Sequence, residues 1–208
     1  MGRLAQIKDR SGLLKNASIR VGVLGGSFNP AHEGHRYISL EAIKRLGLDE
    51  VWWLVSPQNP LKSQKDMQTL PIRLKQARQV AGHPKIYVAD FEKYQKNHYT
   101  YNTLLKLKEK FYKVQFVWLM GADNLVQFPE WFRWQDILAT VPVAVFDRGG
   151  KSYQAVIGKV AKSYRAERFS ERKIRCLAGS QPPAWVFVHM RKHPASATAI
   201  RKNWKKLV

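Results

Sequence analysis

Cysteine, acidic side chains and long apolar runs are what this sequence has little of. A single cysteine, Cys176, excludes an intrachain disulfide and suits a reducing compartment. No apolar run is long enough to span a bilayer. The start has no signal-peptide core, because Leu4, Ile7, Leu13 and Leu14 are interrupted by Lys8, Asp9, Arg10 and Ser11. The expectation is a cytoplasmic protein without membrane contact. Internal repeats and low-complexity segments are missing too. Asp and Glu total 15 against 36 Lys and Arg, a formal net charge of +21 over 208 residues. A field of that sign attracts nucleotides, RNA and anionic lipids, but a solvated basic surface accounts for it equally well.

What is present is an alternation. Ile19–Leu24, Val51–Val55, Ile86–Phe91, Val114–Met120, Val143–Phe146 and Trp185–Val188 are short runs rich in Val, Ile and aromatics. Each is bounded by turn residues, as strands buried on both faces are. Between them, apolar residues recur at helical spacing: Ile38, Ala42 and Leu46; Leu74, Ala77 and Ala81; Thr103, Leu104, Leu107 and Phe111. Strand–helix alternation predicts an α/β fold, an open parallel sheet with helices on both faces. Residues 1–17 read as a lead-in and 18–208 as a single domain. Within it, 151–180 reads as a basic helical insert with an apolar stripe of Tyr153, Val156, Ile157, Val160 and Tyr164. That stripe suits docking onto the domain. Its run of Arg165, Arg168, Arg172, Lys173 and Arg175 leaves a nucleic-acid or partner surface as the sharper reading.

The chemistry concentrates after the first strand, in Gly25-Gly26-Ser27-Phe28-Asn29-Pro30-Ala31-His32-Glu33-Gly34-His35. Glycines there let the backbone turn and approach a ligand closely. A helix starting near Gly34 aims its free N–H groups and positive dipole end at the same space, which makes a phosphate site. The segment is neither a G-x-G-x-x-G fingerprint nor a Walker loop. His32 and His35 could donate to phosphoryl oxygens as charge builds. A metal pair is the rival, although H-E-G-H is one residue short of H-E-x-x-H.

Residues 25–35 resemble the GSFDPxHxGH signature of the nucleotidylyltransferase superfamily, in its nicotinate-nucleotide adenylyltransferase form. Ser196-Ala197-Thr198-Ala199-Ile200-Arg201 is similar to the superfamily's second signature, ISSTxIR. Ser56-Pro57-Gln58-Asn59-Pro60-Leu61-Lys62, Tyr99-Thr100-Tyr101-Asn102-Thr103-Leu104 and Gly121-Ala122-Asp123-Asn124-Leu125 with Phe128-Pro129-Glu130-Trp131 resemble the remaining blocks, in family order. The chain departs at Asn29, where the family often has Asp, and at Ala195 and Ala197, which replace an Ile and a Ser. The 151–180 segment has no counterpart in the short family pattern.

The resemblance implies a Rossmann-like nucleotidylyltransferase that moves AMP from ATP to nicotinic acid mononucleotide in NAD synthesis. It assigns His32, His35 and Arg201 to catalysis. Gly25, Gly26, Ser27, Phe28, Ser196 and Thr198 would bind ATP. Asn59, Lys62, Thr100, Asp123, Trp131 and Phe132 would bind the nicotinate nucleotide. Mg2+ would arrive on the nucleotide, with no metal site in the protein itself. The alternatives are a nicotinamide-mononucleotide, phosphopantetheine or cytidylyl enzyme of the same fold, and a nucleic-acid-binding protein with a vestigial nucleotide site. No recognised RNA- or DNA-binding motif supports the last, and the sequence leaves the oligomeric state open.

Overall fold

Runs of β-branched and aromatic residues pair side by side once helices cover both of their faces. A computed structural model describes residues 19–57, 67–91, 98–148, 150–191 and 193–204, with 202–204 described by backbone alone. The lead-in, 1–17, lies outside them. The strands are β1 (Arg20–Gly26), β2 (Glu50–Val55), β3 (Ile86–Ala89), β4 (Gln115–Gly121), β5 (Val143–Phe146), β6 (Arg168–Phe169) and β7 (Trp185–Val188). They form one sheet of order β3-β2-β1-β4-β5-β7-β6, and every pair is parallel.

The helices divide between the two faces. On one face lie α1 (Glu33–Leu46), α2 (Leu70–Ala81) and a 3-10 segment (Glu171–Gly179). They bury Ile38, Ala42, Leu46, Leu74, Ala77, Ala81, Ile174 and Leu177 against Leu24, Val117 and Leu119. On the other lie α3 (Thr100–Lys110), α4 (Ala122–Gln127), α5 (Trp134–Thr140), α6 (Ser152–Ile157) and α7 (Lys159–Ser163). These pack Leu104, Leu107, Leu125, Ile137 and Val160 against Val21, Val23, Phe116 and Trp118. The helix α8 (Ala197–Trp204) closes the described chain. Turn chemistry sets the ends: α1 stops at Gly47 and α2 at Gly82, both with positive φ.

The 151–180 segment is less helical than its composition suggests. It holds α6, α7, β6 and the 3-10 segment. The two residues of β6 are too few for a period to show in sequence. A break at Gly158 separates α6 from α7. The apolar stripe therefore changes phase: Ala155, Val160 and Ala161 are buried, while Tyr153 and Ile157 face solvent. The 3-10 segment is tied down by Glu171. It accepts from Arg45 Nη2 on α1 at 2.5 Å and from the His189 N–H just beyond β7 at 2.8 Å.

Topology places the site. The chain lays β1, β2 and β3 outward in one direction, then returns to place β4 on the other side of β1. Such a switch opens a crevice at the carboxyl ends of the two strands, where ligands bind in open α/β sheets. Close packing of β1 against β4 is part of this. A Cβ on Gly25 would stand 2.3 Å from Cη2 of Trp118, and one on Gly22 would stand 2.7 Å from Cδ1 of Leu119. The indole is rigid and hemmed in, whereas a leucine methyl can swing aside. Gly25→Ala should therefore cost about 2–3 kcal/mol of stability and Gly22→Ala nearer 1 kcal/mol, as overpacking does. Denaturant unfolding of both variants checks the order; the reverse order contradicts it.

Candidate nucleotide-binding site

The loop between β1 and α1 is built on an unusual residue. Phe28 has φ 46°, in the left-handed region that a bulky side chain avoids. Packing compensates. Its ring, only 2% exposed, stacks on Trp53 at 5.1 Å and leans on His35 at 4.8 Å. Trp53 is itself fixed, because its indole N–H donates to Ser39 Oγ, which donates to the His35 carbonyl.

The two histidines cap their own helix. His32 is the residue before α1, and its Nδ1 accepts the Gly34 N–H at 3.1 Å. The His32 backbone N–H in turn donates to Nδ1 of His35 at 3.2 Å. A ring nitrogen that accepts an N–H cannot carry the proton, so in the neutral form both imidazoles hold theirs on Nε2. The His32 Nε2 is buried and has no partner within the described protein. The rings lie 3.9 Å apart between centroids. Gly34 is required by this fold-back, since a Cβ there would stand 2.9 Å from the His32 ring and 3.2 Å from the Ala195 carbonyl.

Burial first, then the charges of Arg148 and His193, lowers the His32 pKa from 6.5 to about 4. The ring is therefore a neutral donor at physiological pH. Arg148 follows β5 and His193 follows β7, so three strand ends converge on one imidazole. Neither residue stood out in the sequence; the cue for Arg148 was its place just past a strand of a parallel sheet. Arg148 also lies 3.9 Å from an Asp123 carboxylate oxygen, and the other oxygen, Oδ1, is buried and unpartnered.

The second signature arrives from the far end of the chain. Ser196 Oγ accepts the Ala199 N–H at 3.1 Å and caps α8. Arg201 on that helix donates from Nη1 to the Asn29 carbonyl at 2.6 Å, with Thr198 Oγ1 at 3.5 Å from Nη2. Gly25, Gly26, Ser27, Phe28, His32, His35 and Arg201 thus belong to one continuous set of contacts. Thr100 opens α3, beside Tyr99, whose ring stacks on Phe132 at 4.6 Å. Trp131 is half-buried edge-on against Phe128 at 5.2 Å and Trp118 at 6.3 Å. Asn59 and Lys62 lie outside the described residues. Among the described residues no three His, Cys, Asp or Glu side chains group to hold a metal, and no helix is long and apolar enough to cross a membrane.

Comparison with known proteins follows the same lines. Residues 23–203 match the family model described as cytidylyltransferase-like. A protein of Parvibaculum lavamentivorans named "Probable nicotinate-nucleotide adenylyltransferase" is 44% identical over 91% of this chain and 94% of its own length. One of the same name from Cereibacter sphaeroides is 48% identical over 87% of this chain and 96% of its own. In fold, the chain is similar to Plasmodium falciparum nicotinic acid mononucleotide adenylyltransferase complexed with NaAD. The TM-score is 0.66 at 18% identity, covering 88% of this chain and 83% of that one.

A titration tests the electrostatics. The unfolded chain takes up a proton on this ring near 6.5 and the folded chain only near 4, so between those values the unfolded state binds more protons. The stability that His32 contributes is whole above pH 6.5 and is lost as pH falls toward 4. In an NMR titration the His32 ring should stay neutral between about pH 5 and 8; a midpoint near 6.5 overturns this account.

Proposed function

The chain belongs to the cytidylyltransferase-like family, in its nicotinate-nucleotide adenylyltransferase branch, and from that premise we infer how its residues divide the work. The enzyme transfers AMP from ATP to nicotinic acid mononucleotide, giving nicotinic acid adenine dinucleotide and pyrophosphate, a step of NAD biosynthesis. A phosphate oxygen of the mononucleotide forms a bond to the α-phosphorus of ATP, and the bond from that phosphorus to the bridging oxygen of pyrophosphate breaks. The attacking oxygen is already anionic at neutral pH, so no general base is required. The work left to the protein is positioning and charge stabilisation.

The observation that carries the assignment of roles is the buried, unpartnered Nε2 of His32 at the start of α1. A neutral imidazole whose Nδ1 is taken up by backbone presents one N–H in a fixed direction. With His35, it donates to the phosphates of ATP at the positive end of the helix dipole, beside the backbone of Gly25, Gly26, Ser27 and Phe28. Arg201 holds the leaving pyrophosphate. Two of its nitrogens are occupied by Asn29 and Thr198, and its guanidinium has further N–H groups to offer. Ser196 and Thr198 support that helix start. On the acceptor side, Thr100 and the backbone of Trp131 and Phe132 take the pyridine carboxylate, the Trp131 ring packs against the pyridine, and Asp123 takes ribose hydroxyls. Asn59 and Lys62 join them by resemblance alone.

The donor set does not make a protein cage for Mg2+, which takes about six oxygens. Among the described residues Asp123 Oδ1 is a buried, unpartnered carboxylate oxygen at this site, and it lies beside a guanidinium. Mg2+ would arrive on the phosphates of ATP, where it would neutralise charge. A cytoplasmic setting, where a single cysteine stays reduced, belongs to the same proposal.

Two measurements test these roles. Pyrophosphate release with ATP and each mononucleotide should favour the nicotinic acid form over the amide by at least an order of magnitude in kcat/KM, because backbone N–H donors facing an amide NH2 go unpaired. Equal values would remove the carboxylate contacts proposed for Thr100 and residues 131–132. His35→Ala should lower kcat on the order of 10²–10³-fold with a smaller change in KM, since one donor to developing charge is lost. A near-normal kcat would end the role given to His35.

A further inference from the structure

Arg73 contributes to none of the contacts assigned so far, yet it is 1% exposed on the inner face of α2. Its guanidinium has no carboxylate within ion-pair distance among the described residues. It donates instead to four backbone carbonyls on three segments. Nη1 bonds to Ser27 at 2.6 Å and Ser56 at 2.7 Å, Nη2 to Pro57 at 2.9 Å, and Nε to Gln68 at 2.9 Å. The Gln68 N–H donates onward to Asn29 Oδ1 at 3.1 Å. Burial lowers the pKa of this arginine from its usual value, so its charge is held against a desolvation cost. An apolar side chain would avoid that cost but would leave the four carbonyls without these donors. What an apolar residue cannot do is fix the directions of four carbonyls in one plane.

We propose that Arg73 is a positioning residue for AMP transfer: it sets the peptide plane between Ser27 and Phe28 and, through the Phe28 ring, the imidazole of His35. The chain of contacts is short. Arg73 holds the Ser27 carbonyl, the next residue is Phe28 at φ 46°, and the Phe28 ring lies 4.8 Å from that of His35. In a trans peptide the carbonyl and the following N–H point opposite ways, so anchoring the Ser27 oxygen also fixes the direction of the Phe28 N–H. Arg201 takes the Asn29 carbonyl of the same loop. The loop is thus gripped from two helices at carbonyls two residues apart, with the unfavourable Phe28 conformation between them. The inference rests on the phosphate role proposed above for His35 and the glycine loop.

The test compares Arg73→Lys and Arg73→Met with the wild type, using ATP and nicotinic acid mononucleotide. Lysine keeps the charge and three donors, but from one nitrogen it cannot span carbonyls on three segments. We expect Arg73→Lys to stay folded, with kcat lowered tenfold or more and both KM values within about threefold of wild type, as misalignment costs the chemical step more than binding. The His35 ring resonances should move in the NMR spectrum of the same variant. Normal kcat in Arg73→Lys, an unmoved His35 signal, or a rate loss that only tracks the unfolded fraction would overturn the proposal and leave Arg73 a structural clamp. If Arg73→Met fails to fold, Arg73→Lys decides alone. Wild type that makes no dinucleotide from ATP and nicotinic acid mononucleotide would instead overturn the proposed function, while the His35 resonance comparison would still judge the geometric link.

Discussion

The Trp118 indole lies against the bare backbone of Gly25, and the two loops that flank the sheet's switch point depend on that contact. It lets β4 lie against β1 with a large ring where a side chain would otherwise stand. The same ring receives Trp131 edge-on, and Trp131 rests on Phe128. The glycine loop after β1 and the aromatic loop after β4 therefore bear on one rigid body. The distance between the two loops is set by packing within the protein.

The electrostatic arrangement has the same economy. A basic chain could have met phosphate with charge alone. Here the residue at the mouth of α1 is held neutral by burial and by the charges of Arg148 and His193, while Arg201 binds the Asn29 carbonyl of the same loop. Neutral donors of fixed direction and cations do different work: the first discriminate geometry, and the second draw anions in. The +21 net charge bears on the second and says nothing about the first.

The sheet was legible because β-branched and aromatic runs buried on both faces have few other ways to pair. The histidine segment was legible because glycines, a strand end and a helix start coincide there. Arg73 was not, although it sits four residues before Ala77 and eight before Ala81 on the buried face of α2. A charge in line with core positions conflicts with helical patterning, and only the loop carbonyls it meets resolve the conflict. Arg148 and His193 act on His32 from distant strands, a relation that no local spacing encodes. The phase shift at Gly158 escaped for a similar reason: the composition stays helical across the break while the helix axis does not continue.

The bond from Arg201 to the Asn29 carbonyl joins residues 172 positions apart. During synthesis the N-terminal half of the sheet can assemble, together with its capped helix, long before that arginine leaves the ribosome. Domains tend to fold as their segments emerge, and contacts of high sequence separation are among the last to form. A chain that stopped before α8 would keep the bond from Arg73 to the Ser27 carbonyl and lose the one from Arg201 to Asn29. The loop after β1 is therefore complete only when both ends of the sheet's sequence are present, a dependence that the loop's own sequence does not show.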